Sequence, residues 1–379
     1  MSPTRVERLQ SMWSFNLPSV IPHYAVKCNP DPQLLGLLRQ YGFGFDCASQ
    51  RELSLMNSHD TIIYANPCKS DRDIVYAKAR GSPLTVVDSC EEVDKLDQMS
   101  YGGGALVRIK VDDSGSKMPF GGKFGADVAA IAEIGKYAKK KNIGLRGISF
   151  HVGSESNDPE AHKKAIHVAS EQCMKLLGLG HNANIIDIGG GFVPDTFQLA
   201  ATYIRHAIID KKGAGLRFIA EPGRFFALES QDLFVEVIGK KRAAGKSSGG
   251  WRYTLDESLY GQFTNILFDH QHPRWVRIPQ GEGAESRRKR GAGILFGRTC
   301  DSLDVIARSD DMEELEVGDW LWFPHMGAYT TVTASEFNGF PRPPVFMDER
   351  LPFKKEIHMN SSVGKIQYVA AVSAKEMLV

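Results

Sequence analysis

Residues 147–191 read GISFHVGSESNDPEAHKKAIHVASEQCMKLLGLGHNANIIDIGGG, and this stretch decides the fold class. Two short apolar runs, at 147–153 and 184–191, flank a segment with helical periodicity at 159–178. A strand, a crossover helix and a second strand in this order predict parallel strands covered by helices.

The same rhythm extends from about residue 20 to residue 225. Because the chemistry of a β/α barrel lies at the C-terminal ends of its strands, residues that follow these runs are the functional candidates. We therefore predict an α/β fold that starts with a β/α barrel. The other predicted strands are HYAVKC (23–28), TIIYA (61–65), LTVVD (84–88), ALVRIKV (105–111) and LRFIAEPG (216–223).

After residue 231 strand patterns continue without helices, which predicts a second, all-β domain. We place the domains at 1–231 and 232–379. Two polar, glycine-rich segments, 243–250 and 279–293, are predicted to be surface loops. We interpret the basic run at 287–290 as part of a solvated loop rather than as a binding patch. The predicted strands are LFVEVIGKKR (233–242), WRYTLD (251–256), GILFGRTCD (293–301), DWLWFP (319–324), YTTVTAS (329–335) and PPVFM (343–347).

Composition narrows the function class. The 379 residues are 42% hydrophobic and 24% charged, with a formal net charge of +1, so no general field attracts nucleic acid or a membrane surface. A small molecule or another protein is the expected partner. We find no bilayer-spanning stretch and no signal peptide, and expect a cytoplasmic protein. The six scattered cysteines are expected to be free thiols, and no metal site is predicted.

Lys27 ends the predicted strand HYAVKC and is followed by a proline-containing turn. A lysine in a barrel mouth can be desolvated, which lowers its pKa and prepares the amine to condense with an aldehyde as a Schiff base. Taken alone, it would be interpreted as a rim lysine whose amine reaches water.

Three further segments follow strands. Gly189, Gly190 and Gly191 allow backbone N–H groups to approach a phosphate, although three glycines alone are a weak signal. Glu221 can keep a pyridine nitrogen protonated, and Arg224 can bind phosphate oxygens. The alternative interpretation is that the two residues form a surface ion pair. The segment at 151–154 offers the His151 ring for stacking and the Ser154 hydroxyl for a phosphate, although such a histidine is more often structural.

Together, in this order and spacing, these segments resemble the pyridoxal-5′-phosphate (PLP) decarboxylases with an alanine-racemase-like barrel, and the eukaryotic ornithine decarboxylases in particular. The resemblance covers nearly the whole chain. It continues through GFGFDCAS (42–49), IIYANPCKS (62–70), KFGA (123–126), YGQFTNILFDH (260–270), FGRTCDSLD (296–304), GDWLWFPHMGAYT (318–330) and SEFNGF (335–340).

The resemblance implies a cofactor site. Lys27 would bind PLP covalently, His151 would stack on its ring and Glu221 would bind the pyridine nitrogen. The phosphate would be held by Ser154, Gly189, Gly190, Gly191, Arg224 and Tyr329. Asp46, Glu52 and Arg108 would line the surroundings of the cofactor.

It also implies a homodimer with shared active sites, because Cys300 and Asp301 match a segment that reaches the neighbouring subunit's site in the family. Asp269 and Asp301 would bind the distal ammonium of the substrate, which favours a diamino acid. Cys300 would return a proton to Cα, and Tyr260 and Phe337 would be pocket walls. The implied reaction converts ornithine to putrescine.

Several positions depart from the family pattern. Members of the family also carry an N-terminal segment before the helix that matches RVERLQSMW (5–13), and we find no counterpart of that segment in this sequence. Glu155 stands in place of a glycine, and Phe268, Arg298 and His325 also differ. We hypothesise that these changes alter substrate choice, with neutral drift as the alternative. Lysine or a related diamino acid stays open as substrate, as do a non-catalytic regulatory homologue and a racemase. The presence of the key residues favours the enzyme.

Overall fold

The structure is a computed structural model that describes residues 1–118, 122–156, 158–209, 211, 215–242, 250–279 and 288–347. The chain forms two compact units. One is Val6–Ala227, and the other joins Met1–Arg5 to the chain from Leu228 onward. The predicted domain boundary after residue 231 stays a proposal.

The unit Val6–Ala227 is a closed barrel of eight parallel strands, in the order β1-β10-β9-β7-β5-β4-β3-β2. A separate antiparallel pair, β6 and β8, lies outside the barrel order. The strands are β1 Val20–Ala25, β2 Gly44–Cys47, β3 Ile62–Tyr64, β4 Leu84–Val87, β5 Ala105–Arg108, β6 Ser116–Met118, β7 Leu145–Ser149, β8 Ser154–Ser156, β9 Ile185–Asp187 and β10 Arg217–Ala220.

Helices alternate with the barrel strands, as predicted. Loops before several helices end in capping residues: Asp31 accepts hydrogen bonds from two backbone N–H groups of the next helix, and Ser70 forms a reciprocal capping box with Asp73. The helices are α1 Pro3–Asn16, α2 Pro32–Gln40, α3 Gln50–Ser54, α4 Asp71–Ala79, α5 Cys90–Gln98, α6 Ile131–Lys140, α7 Ala161–Gly178, α8 Phe197–Ile209 and α9 Arg224–Ala227, with 3₁₀ turns at Val26–Cys28, Val128–Ala130 and Pro194–Thr196.

The barrel core explains why the strand sequences are apolar along their whole length. Parallel strands are buried on both faces, so their side chains contact either the interior or the covering helices. Four side chains from four different strands form one apolar cluster, as barrel interiors require: Ile63, Val86, Leu106 and Ile219.

The second unit contains a six-stranded sheet in the order β13-β16-β11-β12-β14-β15, in which only the β12–β14 pair is parallel. Its core includes Tyr253, Phe263 and Phe323, all nearly inaccessible to solvent. The elements are β11 Leu233–Arg242, β12 Trp251–Leu255, α10 Thr264–Phe268, β13 Val276–Ile278, β14 Arg290–Phe296, β15 Val305–Glu313 and β16 Trp320–Phe323, with 3₁₀ turns at Leu228–Ser230 and Phe337–Gly339.

The structure corrects the strand predictions in several places. The short β2 was not predicted, and neither were β13 and β15; β1 begins and ends three residues earlier than HYAVKC. No strand forms in YTTVTAS, because Thr330 and Thr333 donate their hydroxyls to backbone carbonyls of Met326 and Tyr329 and stabilise turns. The described residues 343–347 also form no strand.

The predicted loops fall partly outside the described residues, namely at 243–249 and 280–287. Of the basic run, Arg290 begins β14 and pairs with Asp311, while Arg288 pairs with Asp319. The Arg288 pair is partly buried, whereas the Arg290 pair is exposed to solvent. Within the described ranges, no helix combines the length and apolar character needed to cross a membrane.

Candidate active site

The barrel gathers the predicted cofactor residues at one end. Parallel strands have their C-terminal ends at the same edge, and eight of the predicted residues of this unit lie at or just after such an end. These residues come from β1, β2, β5, β7, β9 and β10 and the segments that follow them. They are Lys27, Asp46, Arg108, His151, the glycines 189–191, and Glu221.

Lys27 lies in the 3₁₀ turn Val26–Cys28, directly after β1, rather than inside the strand. Its amine forms an ion pair with Asp46 of the neighbouring strand β2, whose register places Asp46 opposite Ala25. The lysine side chain is 42% exposed, so it is less buried than expected, whereas Asp46 is fully buried. The second carboxylate oxygen of Asp46 has no hydrogen-bond partner among the described residues.

His151 presents a neutral ring. The backbone N–H of Gly153 donates to its Nδ1 at 3.0 Å, so the ring proton of the neutral form lies on Nε2. Burial, together with the positive charges of Arg108 and Lys27, lowers the pKa of His151 well below its ordinary value. An uncharged flat ring suits stacking on an aromatic ligand.

The glycines 189–191 form a tight backbone turn that admits no side chains. Gly189 has φ +65°, and a Cβ there would lie 2.2 Å from the carbonyl oxygen of Phe150. A Cβ on Gly190 would lie 2.9 Å from Nε2 of His151. The backbone itself therefore lines this part of the barrel mouth, close to the His151 ring.

Glu221 and Asp187 form a pair of neighbouring buried carboxyl groups. Burial, followed by the charges of Asp187 and Asp46, raises the pKa of Glu221 well above its ordinary value. Burial also raises the pKa of Asp187 to about 7, although the N–H of Gly189 donates to its Oδ1 at 2.9 Å. Two such groups retain a proton at neutral pH unless a cation is brought to them.

Arg224 begins α9 and is largely buried. Its Nε lies 3.3 Å from Oε1 of Glu155, the residue that follows Ser154 in β8. Ser154 and Arg224, both predicted to bind phosphate, are therefore linked by Glu155, which follows Ser154 in the chain and contacts Arg224.

The second unit brings together four of its predicted residues. The Tyr260 hydroxyl donates to the Asp301 carboxylate, and the rings of Tyr260 and Phe337 lie 4.4 Å apart. Cys300 precedes Asp301, and its backbone N–H donates to the side chain of Asn338. Cys300 is exposed in the single chain, with all six cysteines present as free thiols.

Asp269 and Tyr329 lie elsewhere in the second unit. Asp269 directly follows α10 and is buried, and Tyr329 adopts a left-handed backbone with φ +53°. Of the residues that depart from the family pattern, Phe268 is 65% exposed and Arg298 lies over the Phe340 ring at 4.0 Å. The backbone N–H of His325 donates to Asp232.

Two side chains of the site were given no role by sequence reasoning. Asp187 ends β9 beside Glu221, and Lys117 in β6 contacts Glu155. For Asp187 a signal exists, because a carboxylate that ends an apolar barrel strand is placed at the mouth. Lys117 carries no such signal, since only the β6–β8 pairing brings it to the site.

A protein family and several known proteins are similar to this chain. Residues 4–228 match the family described as pyridoxal-dependent decarboxylase, pyridoxal binding domain. Ornithine decarboxylase of Schizosaccharomyces pombe is 42% identical over 337 residues, which cover 86% of this chain and 78% of that protein.

Solved structures of decarboxylases share the fold. Arginine decarboxylase of Paramecium bursaria Chlorella virus, bound to agmatine, superposes with a TM-score of 0.85 at 36% identity and covers 92% of this chain and 94% of its own. Lysine/ornithine decarboxylase of Vibrio vulnificus, complexed with cadaverine, gives a TM-score of 0.81 at 30% identity, with 92% and 94% coverage. By its sequence match and its barrel, this chain belongs to the pyridoxal-dependent decarboxylase family.

Proposed function

We propose that this protein decarboxylates a basic amino acid with PLP as cofactor, and that its substrate is L-ornithine, which yields putrescine. The observation that carries the proposal is the convergence of Lys27, Asp46, His151 and Glu221 with a glycine turn at the C-terminal end of one barrel. Relatives with 32–42% identity that are named ornithine decarboxylases support the choice of substrate.

The residues at the barrel mouth fit PLP. The unpartnered oxygen of Asp46 and the raised pKa of Glu221 both indicate buried acceptors that a cationic or N–H group would satisfy. The glycine turn leaves backbone where side chains would exclude a phosphate. Lys27 would hold the aldehyde carbon, Glu221 the pyridine nitrogen, and Arg224 with Ser154 the phosphate.

When bound, PLP supplies the electron sink that accepts the electron pair released as the Cα–carboxylate bond breaks. The chain's own residues orient the reacting groups and hold their protons. Asp46 positions the Lys27 amine, and Glu221 would hold a proton at the pyridine nitrogen of bound cofactor so that the nitrogen stays cationic. The neutral His151 ring covers a flat ligand without adding charge.

Residues of the second unit would handle the substrate. We propose that Asp269 and Asp301 bind the distal ammonium and that Tyr260 and Phe337 shape the pocket around it. The Cys300 thiol would deliver a proton to Cα after carbon dioxide leaves, and Tyr329 would add to phosphate binding. We also propose that the enzyme is a cytoplasmic homodimer in which Cys300 and Asp301 serve the partner's site.

The test is carbon dioxide release from PLP-loaded protein offered ornithine, lysine, arginine and diaminopimelate separately, with the amine products identified by mass. We expect release from ornithine with putrescine as product. Carbon dioxide release from lysine alone would show that the substrate is a longer diamino acid than ornithine. If none of the four amino acids releases carbon dioxide and the protein does not bind PLP, we would conclude that it is a non-catalytic regulatory homologue.

A matched variant ties the activity to Lys27. Lys27→Ala should lose both carbon dioxide release and the visible absorbance band of the lysine-bound cofactor, because it removes the amine that would condense with the cofactor aldehyde at this site. Lys110→Ala, a change of a lysine that pairs with Asp127 instead, is the control and should keep both. A persistent band in Lys27→Ala would reject the assignment.

A further inference from the structure

Glu155 places a carboxylate against the arginine that the proposed function assigns to the cofactor phosphate. Its Oε1 lies 3.3 Å from Nε of Arg224, whose side chain is only 6% exposed. An anion is therefore already present at a guanidinium that would otherwise be directed to a phosphate.

The carboxylate is held there by a second cation. Oε2 of Glu155 lies 3.3 Å from Nζ of Lys117. Lys117 and Glu155 are the central residues of β6 and β8, which pair antiparallel with Ser116 opposite Ser156 and Met118 opposite Ser154. The two-stranded sheet thus fixes which lysine faces this glutamate.

The backbone at Glu155 indicates that the position is constrained by its contacts. Its φ is +51°, a left-handed conformation that glycine adopts without cost and other residues adopt at a cost in free energy. Such a conformation persists when surrounding contacts compensate for it, and here the ion pairs with Arg224 and Lys117 provide that compensation.

From this geometry, we propose that Glu155 is an internal anion that competes with the cofactor phosphate for Arg224, with Lys117 as the cation that holds Glu155 when phosphate binds. The inference rests on the proposed function, because it takes Arg224 as a phosphate ligand. Lys117, Glu155 and Arg224 together carry one net positive charge, and removal of the carboxylate charge leaves two. The protein would therefore bind PLP more weakly than it would if no carboxylate lay beside Arg224. The fraction of protein that carries PLP would then depend on the PLP concentration.

The test compares PLP with pyridoxal, which lacks the phosphate. Full-length protein loaded with PLP is equilibrated by dialysis against a concentration series of each ligand, and occupancy is measured from the absorbance band that depends on Lys27. Glu155→Gln should bind PLP about tenfold more tightly, a typical size for coupling between two ligand charges, with pyridoxal binding unchanged. Lys117→Gln should bind PLP more weakly, since it removes a cation that draws the Glu155 carboxylate away from Arg224.

Glu160→Gln is the matched control, because Glu160 lies close in sequence and pairs with Lys163 instead of Arg224. It should leave both affinities unchanged. Should Glu155→Gln fold poorly, Glu155→Gly removes the same charge and suits the left-handed backbone.

The outcomes separate the inference from the proposed function. Unchanged or weaker PLP binding in both Glu155 variants would overturn the inference, as would an equal gain for pyridoxal and PLP. If the unaltered protein showed no Lys27-dependent band with either ligand, the proposed function itself would fail, and the inference with it. A gain confined to PLP supports the competition.

Discussion

At the scale of single residues, the Asp187–Glu221 pair makes the barrel sensitive to pH. Two buried carboxyl groups with raised pKa values hold protons more tightly in the folded protein than in the unfolded chain. Their contribution to stability is therefore complete at low pH and is lost as the pH rises. For Asp187 the window runs from its ordinary pKa of 3.8 to about 7.

Replacement of Asp187 by asparagine should flatten this dependence. We expect the free energy of unfolding of cofactor-free protein to fall as pH rises from about 4 to 7, and to fall by at least about 1 kcal/mol less in Asp187→Asn, because the amide does not ionise. Urea unfolding at a series of pH values measures both slopes.

Asp195→Asn provides the control, since Asp195 is an exposed carboxylate in the 3₁₀ turn Pro194–Thr196. Its slope should match that of the unaltered protein. Equal slopes for all three proteins would show that the Asp187 carboxyl does not retain its proton in the folded state.

At the scale of elements, a buried ion network joins the loop after β3 to α5. The amine of Lys69 lies 2.8 Å from Oε1 of Glu92 and donates to the carbonyls of Asn66 and Val86. Lys95, one turn along α5, pairs with the other carboxylate oxygen. Lys69 and Glu92 are nearly inaccessible to solvent, so each charge depends on the other.

Glu92→Ala should therefore destabilise the protein strongly. It leaves the Lys69 ammonium buried without its carboxylate, and burial already lowers the pKa of Lys69. We expect a loss of about 3–5 kcal/mol, measured as a shift of the urea midpoint. Glu91→Ala removes an exposed carboxylate from the same first turn of α5 and should change stability by less than about 0.5 kcal/mol. Similar losses in the two variants would contradict a network that depends on burial.

At the scale of the whole molecule, the proposed dimer makes two kinds of impaired chain complementary. Lys27 belongs to the unit Val6–Ala227 and Cys300 to the second unit. If each active site combines Lys27 of one chain with Cys300 of the other, a mixed dimer of Lys27→Ala and Cys300→Ala chains contains one intact site. Mixing the Lys27→Ala and Cys300→Ala chains should therefore raise activity above the mean of the two separate samples.

Random exchange of subunits sets the expected amount. Half of the dimers would be mixed and half of their sites intact, so about a quarter of all sites in an equal mixture should be intact and turn over at the unaltered rate. Sedimentation or light scattering establishes the dimer, and differently tagged chains establish exchange. Mixed dimers without recovered activity would place Lys27 and Cys300 of each site on the same chain.

Much of the fold could be predicted because the barrel strands are buried on both faces and therefore appear as continuous apolar runs. The short β2 was missed because four residues give little pattern. β15 was missed because its exposed second half, with Ser309, Asp310 and Asp311, lacks strand propensity and is held by pairing with β14. YTTVTAS has strand propensity but forms turns, since its threonine hydroxyls bond to the local backbone.

By itself, the sequence determined which chemical groups follow the barrel strands: Lys27 after β1, three glycines after β9 and Glu221 after β10. Only the tertiary structure decided which of them meet. Asp187 contacts Glu221 because β9 pairs with β10, and Glu155 contacts Lys117 because β6 pairs with β8; Glu155 also meets Arg224, which begins α9. Local sequence specifies strands and turns through propensity and burial, whereas contacts between distant residues depend on strand order and register, which long-range packing sets.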